Sequence, residues 1–200
     1  MFGRDLVNWN NNFTWAKWVT PSRDLISTFK QEGDEVRFKE SVVYYDCGWS
    51  NYYPSDNYPF MYKCRSANSS IIKYRYADVL LLKAEALIMQ DTPDLEGAAD
   101  IIDEVRDRAK LGALSSSTRS NKDALLNALL KERRLELAFE GQRWFDLVRL
   151  DKVEEVMNAV HAKDSGRKAQ VYTYDKNSYR LPIPQSVIDA NDKIHQNPGY

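Results

Sequence analysis

The chain has 200 residues, which is long enough for one domain with a complete hydrophobic core. Its 28 basic and 29 acidic residues are interspersed and give a net charge of −1, so nucleic acid is not an expected partner. No apolar run is long enough to cross a bilayer, and residues 1–12 lack the basic and then apolar pattern of a secretory signal. The sequence as it stands therefore predicts neither membrane insertion nor secretion.

The chain has only two histidines and two cysteines. His161 and His195 lie far apart, and neither has cysteine or acidic neighbours at zinc-ligand spacing. We therefore predict no metal and no cofactor. Cys47 and Cys64 could form a disulfide in an oxidising compartment, but sequence spacing does not establish that their Cα atoms come close enough, so both states stay open.

Residues 1–70 form a loop-rich lead-in with one short helix in our prediction. Thr20 is suited to an N-cap and Pro21 to the first helical position, and Gly33 is suited to the end of that helix. The pattern RFKESVVYY at residues 37–45 is compatible with a strand, although the alternation of apolar and polar residues is imperfect.

The segment CGWSNYYPSDNYPFMYKC at residues 47–64 predicts a surface loop that could bind sugar. Aromatic rings stack on the apolar faces of sugars, and amide and carboxylate groups bond their hydroxyls. The alternative is that these rings pack the loop onto the helices. The candidate ligand-binding residues are Trp49, Asn51, Tyr52, Tyr53, Asp56 and Tyr58.

Residues 71–161 predict helix hairpins. The segment YRYADVLLLKAEALIMQ, residues 74–90, carries two apolar stripes at helical spacing and is expected to be covered on two sides. Thr92 and Pro93 predict the start of the next helix, and Gly112 predicts its end. A serine-rich loop at residues 115–120 should follow.

Residues 125–150 combine an apolar helical stripe with dense charge. Glu132, Glu136 and Glu140 form a column at four-residue spacing, whose mutual repulsion requires nearby cations. The nearest candidates in sequence are Arg133, Arg134 and Arg143. Glu140 is the predicted helix end, Gly141 the left-handed cap, and a second helix should start at Gln142 or Arg143. We interpret the segment as structural and not as a catalytic pair.

The final part of the chain predicts one more helix and then a tail. Asp151 and Glu154 resemble a capping box at the start of an amphipathic helix. Residues 162–200 should form an extended tail, with an extended segment at 172–179 and one short helix at 187–190.

Four motifs in order carry a resemblance to a known family. They are RYADVLLLKAEAL at 75–87, ERRLELAFEGQRWFDLVR at 132–149, LPIP at 181–184 and QNPGY at 196–200. Together they closely resemble the SusD/RagB family of outer-membrane nutrient-binding lipoproteins, and the match runs from about Pro21 to the end of the sequence. The chain resembles the C-terminal portion of a family member, and it has no lipoprotein signal.

The resemblance implies an all-α fold of stacked antiparallel helix hairpins of tetratricopeptide type, with long irregular loops and an extended C-terminal tail. It implies a cell-surface protein, held by a lipid anchor outside this sequence, that captures oligosaccharide or polysaccharide and passes it to a SusC-like TonB-dependent transporter. No binding residue is carried over from the family. The motif residues are interpreted as a structural network that includes Arg133, Arg134, Glu136, Glu140, Arg143, Trp144 and Asp146.

Two other functions were weighed against glycan capture. A helical scaffold that binds only proteins would also suit stacked hairpins. A glycosidase needs only two suitably spaced carboxylates, which distant parts of a chain can supply. The sequence has no nucleophile elbow, phosphate loop or metal motif, so we predict a protein that is not an enzyme.

Overall fold

The computed structural model describes residues 19–45, 57–63, 72–163 and 173–200. These residues are mostly helical, as predicted, and include a two-stranded antiparallel sheet. The contacts divide the chain into two units, residues 1–143 and 144–200. None of the helices in the described ranges is both long and apolar enough to span a membrane.

The first helix, α1 (Arg23–Glu32), begins two residues later than Pro21, the predicted first position. The hydroxyl of Ser22, and not that of Thr20, accepts the capping hydrogen bond from the backbone N–H of Leu25 at 3.1 Å. Gly33 ends the helix as predicted, with a φ of 68° that glycine adopts without strain.

The predicted strand at residues 37–45 is wrong over its first half. A second helix, α2 (Glu35–Ser41), occupies that part, and the strand β1 is confined to Val42–Tyr45. The described part of the lead-in, residues 19–45 and 57–63, therefore has two helices where we predicted one. Asp34 caps α2 by accepting from the backbone N–H of Arg37 at 3.1 Å, a local signal that outweighs the strand propensity. β1 pairs antiparallel with β2 (Tyr58–Met61).

A helical hairpin, α3 (Tyr76–Met89) and α4 (Leu95–Arg108), forms the centre of the first unit. Asp94 caps α4 through the backbone N–H of Gly97 at 2.9 Å, so the helix begins just after the predicted Thr92 and Pro93. It ends before the predicted Gly112, because the chain turns at Lys110 with a φ of 62°.

The predicted serine loop contains a short helix, α5 (Ser116–Arg119), and α6 (Lys122–Glu136) follows it. Helix α6 ends four residues earlier than predicted, and residues 137–140 form a turn that includes Phe139 at a φ of 66°. Gly141 is left-handed as predicted, with a φ of 80°, and α7 (Arg143–Arg149) starts where expected.

A buried hydrophobic core joins α3, α4 and α6. Alanines where α3 and α4 cross let the two backbones approach closely, and leucine and isoleucine side chains fill the remaining space. The buried members are Leu81, Ala84, Ile88, Ala98, Ala99, Ile102, Val105, Leu125 and Leu129. A second cluster joins α1 to the end of α6 through Leu25, Phe29, Leu135 and Ala138.

The second unit contains the rest of α7, α8 (Val153–Lys163), a 3-10 helix at Lys176–Tyr179 and α9 (Gln185–Asp189). The 3-10 helix replaces the second half of the extended segment predicted at 172–179. Residue 172 lies outside the described residues. Asp151 has a φ of 53°, and its carboxylate accepts from Lys176 and Tyr179 at 3.0 and 2.6 Å. The predicted short helix at 187–190 is observed two residues earlier.

Candidate functional site

Five of the six predicted ligand-binding residues lie outside the described residues: Trp49, Asn51, Tyr52, Tyr53 and Asp56. Cys47 and Cys64 lie outside them as well. The sixth, Tyr58, lies in β2 opposite Tyr45, and only 9% of it is exposed. Its ring belongs to the core, so we correct the prediction that Tyr58 stacks on a ligand.

A buried ionic cluster occupies the junction of α2 and α6. The Arg37 Nη1 atom lies 2.5 Å from the Glu132 Oε1 atom and 3.2 Å from the Glu136 Oε2 atom. The Arg37 Nε atom lies 2.5 Å from the Asp34 Oδ2 atom. All four side chains are buried, so one guanidinium group bridges three carboxylates in a region of low dielectric constant.

The cluster continues to the start of α3 and to the residues after β2. The Arg75 guanidinium contacts Glu136 Oε1 and Glu140 Oε2, each at 2.8 Å. The Lys63 Nζ atom lies 2.5 Å from Glu140 Oε1 and donates to the Glu136 carbonyl at 2.8 Å. Arg108, at the end of α4, also pairs with Glu136. Four segments of the first unit are thereby tied to the end of α6.

Many cationic partners of the glutamates come from distant parts of the sequence, whereas we had favoured the neighbouring arginines. Arg133 lies 2.9 Å from Asp78, Arg134 lies 2.6 Å from Asp24, and Arg143 donates to the Leu130 carbonyl at 3.0 Å. Sequence reasoning missed the glutamates' cations Lys63, Arg37, Arg75, Arg106 and Arg108. Their spacing carries no local signal, because the pairs form only after folding.

The last two residues of the predicted network lie in the second unit. The rings of Trp144 and Tyr174 have centroids 6.4 Å apart and are tilted by 56°. Asp146 is buried and accepts from Arg149, one helical turn later, at 2.8 Å. These two contacts are internal to that unit.

The two central glutamates differ in pKa. Burial raises the pKa of Glu136, but hydrogen bonds from Arg75 and the charges of Arg108, Arg75 and Arg37 outweigh burial and lower it below 4.5. Burial also raises the pKa of Glu132, and there the cations Arg37 and Arg106 offset it only in part. The arrangement suits a structural junction, since its carboxylates are neutralised by guanidinium groups.

The pKa of Glu136 gives a prediction for acid unfolding. A carboxyl group with a lowered folded pKa stabilises the protein above its unfolded pKa, and this contribution is lost as the pH falls through the folded pKa. We therefore expect Glu136→Gln to be less stable than wild type at pH 7 and to lose less stability below about pH 4.5. Urea unfolding midpoints of the two proteins at pH 7 and pH 3.5 measure the stability difference at pH 7 and the loss on acidification. If the stability of the two proteins falls by the same amount between pH 7 and pH 3.5, the pKa of Glu136 is not lowered in the folded state.

A separate cleft of about 490 Å³ lies within the second unit. Among the residues that line it are Trp144 at the start of α7, Tyr174 and Asn177 around the 3-10 helix, and Tyr200. Our sequence analysis used Trp144 and Tyr200 only as parts of family motifs, and it did not predict that they share a cleft. Residues 56 positions apart carry no pattern that would reveal this.

Comparison with known proteins identifies relatives along most of the chain. The model of the SusD family matches residues 53–200. SusD-like protein P38 from Formosa agariphila is 41% identical over 139 residues, which cover 66% of this chain and 25% of that protein. The chain thus spans about a quarter of this relative's length.

Solved structures agree with the fold. A SusD superfamily protein from Bacteroides vulgatus has a TM-score of 0.68 and 22% identity, covering 90% of this chain and 44% of its own. A structure described as a laminarin binding SusD-like protein has a TM-score of 0.55 and 28% identity, covering 89% of this chain and 37% of its own. Because the family model covers well over half of the sequence, the chain belongs to the SusD family.

Proposed function

We propose that the chain is part of a non-catalytic glycan-binding protein that captures oligosaccharide at the outer-membrane surface and delivers it to a SusC-like TonB-dependent transporter. The observation that carries the proposal is membership of the SusD family, together with the 28% identical relative whose description names laminarin as its ligand. A lipid anchor outside this sequence would hold the protein at the cell surface.

The described residues would serve as a rigid support for this function. The ionic cluster ties α2, α3, α4 and the segment after β2 to α6, and the α3, α4 and α6 core is filled by buried aliphatic side chains. Binding residues act most effectively when a rigid scaffold holds the loops that carry them. This arrangement supports binding without requiring any group to transfer a proton.

We propose the loop at residues 47–57 as the glycan contact, with Trp49 and Tyr52 as stacking residues. Trp49→Ala and Tyr52→Ala should each weaken oligosaccharide binding by about tenfold, since an aromatic contact contributes on the order of 1 kcal/mol beyond its buried area. Isothermal titration with laminarihexaose and maltohexaose measures the affinities. Tyr74→Ala is the matched control, because Tyr74 is 80% exposed on another segment. Wild-type affinity in both loop variants would remove the loop from the site.

The function as a whole is tested by a glycan array followed by a turnover assay. We expect at least one oligosaccharide to bind and none to be cleaved during prolonged incubation. A time-dependent increase in reducing ends would indicate a glycosidase. Recovery of a transporter from outer-membrane extract by a chain that binds no glycan would favour the alternative of a protein-binding scaffold.

A further inference from the structure

The cleft of the second unit combines aromatic rings with amide and hydroxyl groups. Trp144 and Tyr174 line it together with Tyr200, which keeps 57% of its surface exposed. Asn177 and Ser178 line it as well. Its volume of about 490 Å³ is within the range of about 300–1,000 Å³ typical of small-molecule sites.

The polar side of the cleft is held in place by its own hydrogen bonds. The Asp175 carboxylate accepts from the backbone N–H groups of Asn177 and Ser178 at 2.9 and 3.2 Å. The Asn177 side-chain amide donates to Asp175 at 3.2 Å, which leaves its carbonyl oxygen as a potential acceptor for a ligand. Because these bonds fix the 3-10 helix, a ligand would not have to order it.

The aromatic side is fixed in a similar way. The Asn158 side chain makes two hydrogen bonds to the backbone of Tyr174, at 2.9 and 3.0 Å. The hydroxyl of Tyr200 donates to the Arg180 carbonyl at 3.1 Å. Gly199 has a φ of 94°, and a Cβ atom there would lie 2.6 Å from the Cβ of Asn177, so glycine allows the chain before Tyr200 to meet the 3-10 helix closely.

The charge of the cleft limits the ligands that it can accept. Asp175 is the charged residue among the described residues that line it, and Asp175 carries a negative charge. Uronic acids and sulfated sugars are normally bound by arginine or lysine, and burying an anion beside a carboxylate is unfavourable. Neutral sugar rings need only what the cleft offers, namely apolar ring faces and hydrogen-bonding groups at their edges.

We propose that this cleft is a second glycan subsite, specific for neutral hexopyranose oligosaccharides, with Trp144, Tyr174 and Tyr200 as stacking residues and Asn177 as a hydrogen-bonding residue. The proposal rests on the glycan-binding function proposed above, and it adds a location and a substrate class. It places the subsite in the second unit, apart in sequence from the loop at residues 47–57.

Indole NMR can test the subsite separately from the general function. The chain has five tryptophans, and Trp144→Phe assigns the indole N–H signal of Trp144. We expect that signal to shift and saturate when the ¹⁵N-labelled chain is titrated with maltohexaose, laminarihexaose or cellohexaose, and to stay unchanged with hexagalacturonate. Saturable binding by calorimetry without any shift of the Trp144 signal would overturn the subsite alone. Absence of binding to neutral and acidic oligosaccharides alike would overturn the subsite and the proposed function together.

Tyr200 lies at the exposed edge of the cleft, so its replacement should affect binding without unfolding the protein. Tyr200→Ala should weaken binding of the neutral oligosaccharide by about tenfold at the site reported by Trp144, while Tyr74→Ala should leave it unchanged. Thermal unfolding of both variants verifies that they are folded. If the Trp144 signal of Tyr200→Ala saturates at the same oligosaccharide concentration as in wild type, Tyr200 is not part of the subsite. A larger response to hexagalacturonate than to the neutral hexaoses would overturn the assigned substrate class.

Discussion

Replacing Arg37 by methionine is expected to lower the free energy of unfolding by about 3–5 kcal/mol at pH 7, the range found when one partner of a buried ion pair is removed. The guanidinium group of Arg37 is ion-paired with Asp34, Glu132 and Glu136, all of which are buried. Methionine retains much of the volume but leaves these carboxylates with fewer cations. Urea unfolding followed by circular dichroism measures the loss.

The matched control lies two residues away on the same helix. Lys39 pairs with Glu35 at 3.2 Å, but its side chain is 72% exposed, so Lys39→Met should change the stability by less than about 1 kcal/mol. Equal losses in the two variants would show that helix propensity, and not the buried cluster, determines the effect of Arg37→Met.

The loss in Arg37→Met should also depend on pH. Burial already raises the pKa of Glu132, and the loss of Arg37 should raise it further. A carboxyl group with a raised folded pKa regains stability as the pH falls through that pKa. The difference from wild type should therefore shrink between pH 7 and pH 4. Adding Glu132→Leu to the variant should recover part of the loss at pH 7, because it removes a buried carboxylate that has lost its nearest cation. A difference that is constant with pH would contradict the electrostatic origin.

The sequence predicted the helical elements best where the signal is local. Two apolar stripes located α3, Gly33 was correctly identified as the end of α1, and Gly141 was correctly identified as a left-handed position. The prediction failed at residues 37–45, where β-branched and aromatic residues favoured a strand while Asp34 caps a helix. Arg37 of this helix also pairs with Glu132, which lies 95 residues away and which no local pattern identifies.

For the candidate sites, too, local sequence patterns did not reveal contacts between residues that are distant in the sequence. The density of aromatic residues pointed to the segment at 47–64, and the glutamate column pointed to an ionic junction. Neither pattern could identify the cations that reach Glu136 and Glu140, since Lys63 and Arg75 lie 73 and 61 residues from Glu136. The cleft between Trp144 and Tyr200 was missed for the same reason. Contacts over such distances come from the fold, which a local pattern does not encode.

Replacing Leu81 by alanine is expected to lower the free energy of unfolding by about 2–5 kcal/mol, the usual range for a buried leucine. Leu81 lies in α3 and is fully buried among the residues that α4 and α6 contribute to the core. The neighbouring Leu82 is 41% exposed on the same helix, so Leu82→Ala removes the same atoms with a much smaller loss of burial. Urea unfolding of the two variants isolates the cost of the cavity from the change in helix propensity.

The same two variants show whether the core only supports the binding residues or also sets their affinity for oligosaccharide. If the α3, α4 and α6 core is only a scaffold, Leu81→Ala should bind oligosaccharide with wild-type affinity under conditions in which it is still folded, despite its lower stability. Calorimetry well below its unfolding temperature tests this. Weaker binding by folded Leu81→Ala, with unchanged binding by Leu82→Ala, would mean that the packing of this core sets the geometry of the binding residues. Stability and affinity would then be coupled through α3, and the core could no longer be treated as an inert support.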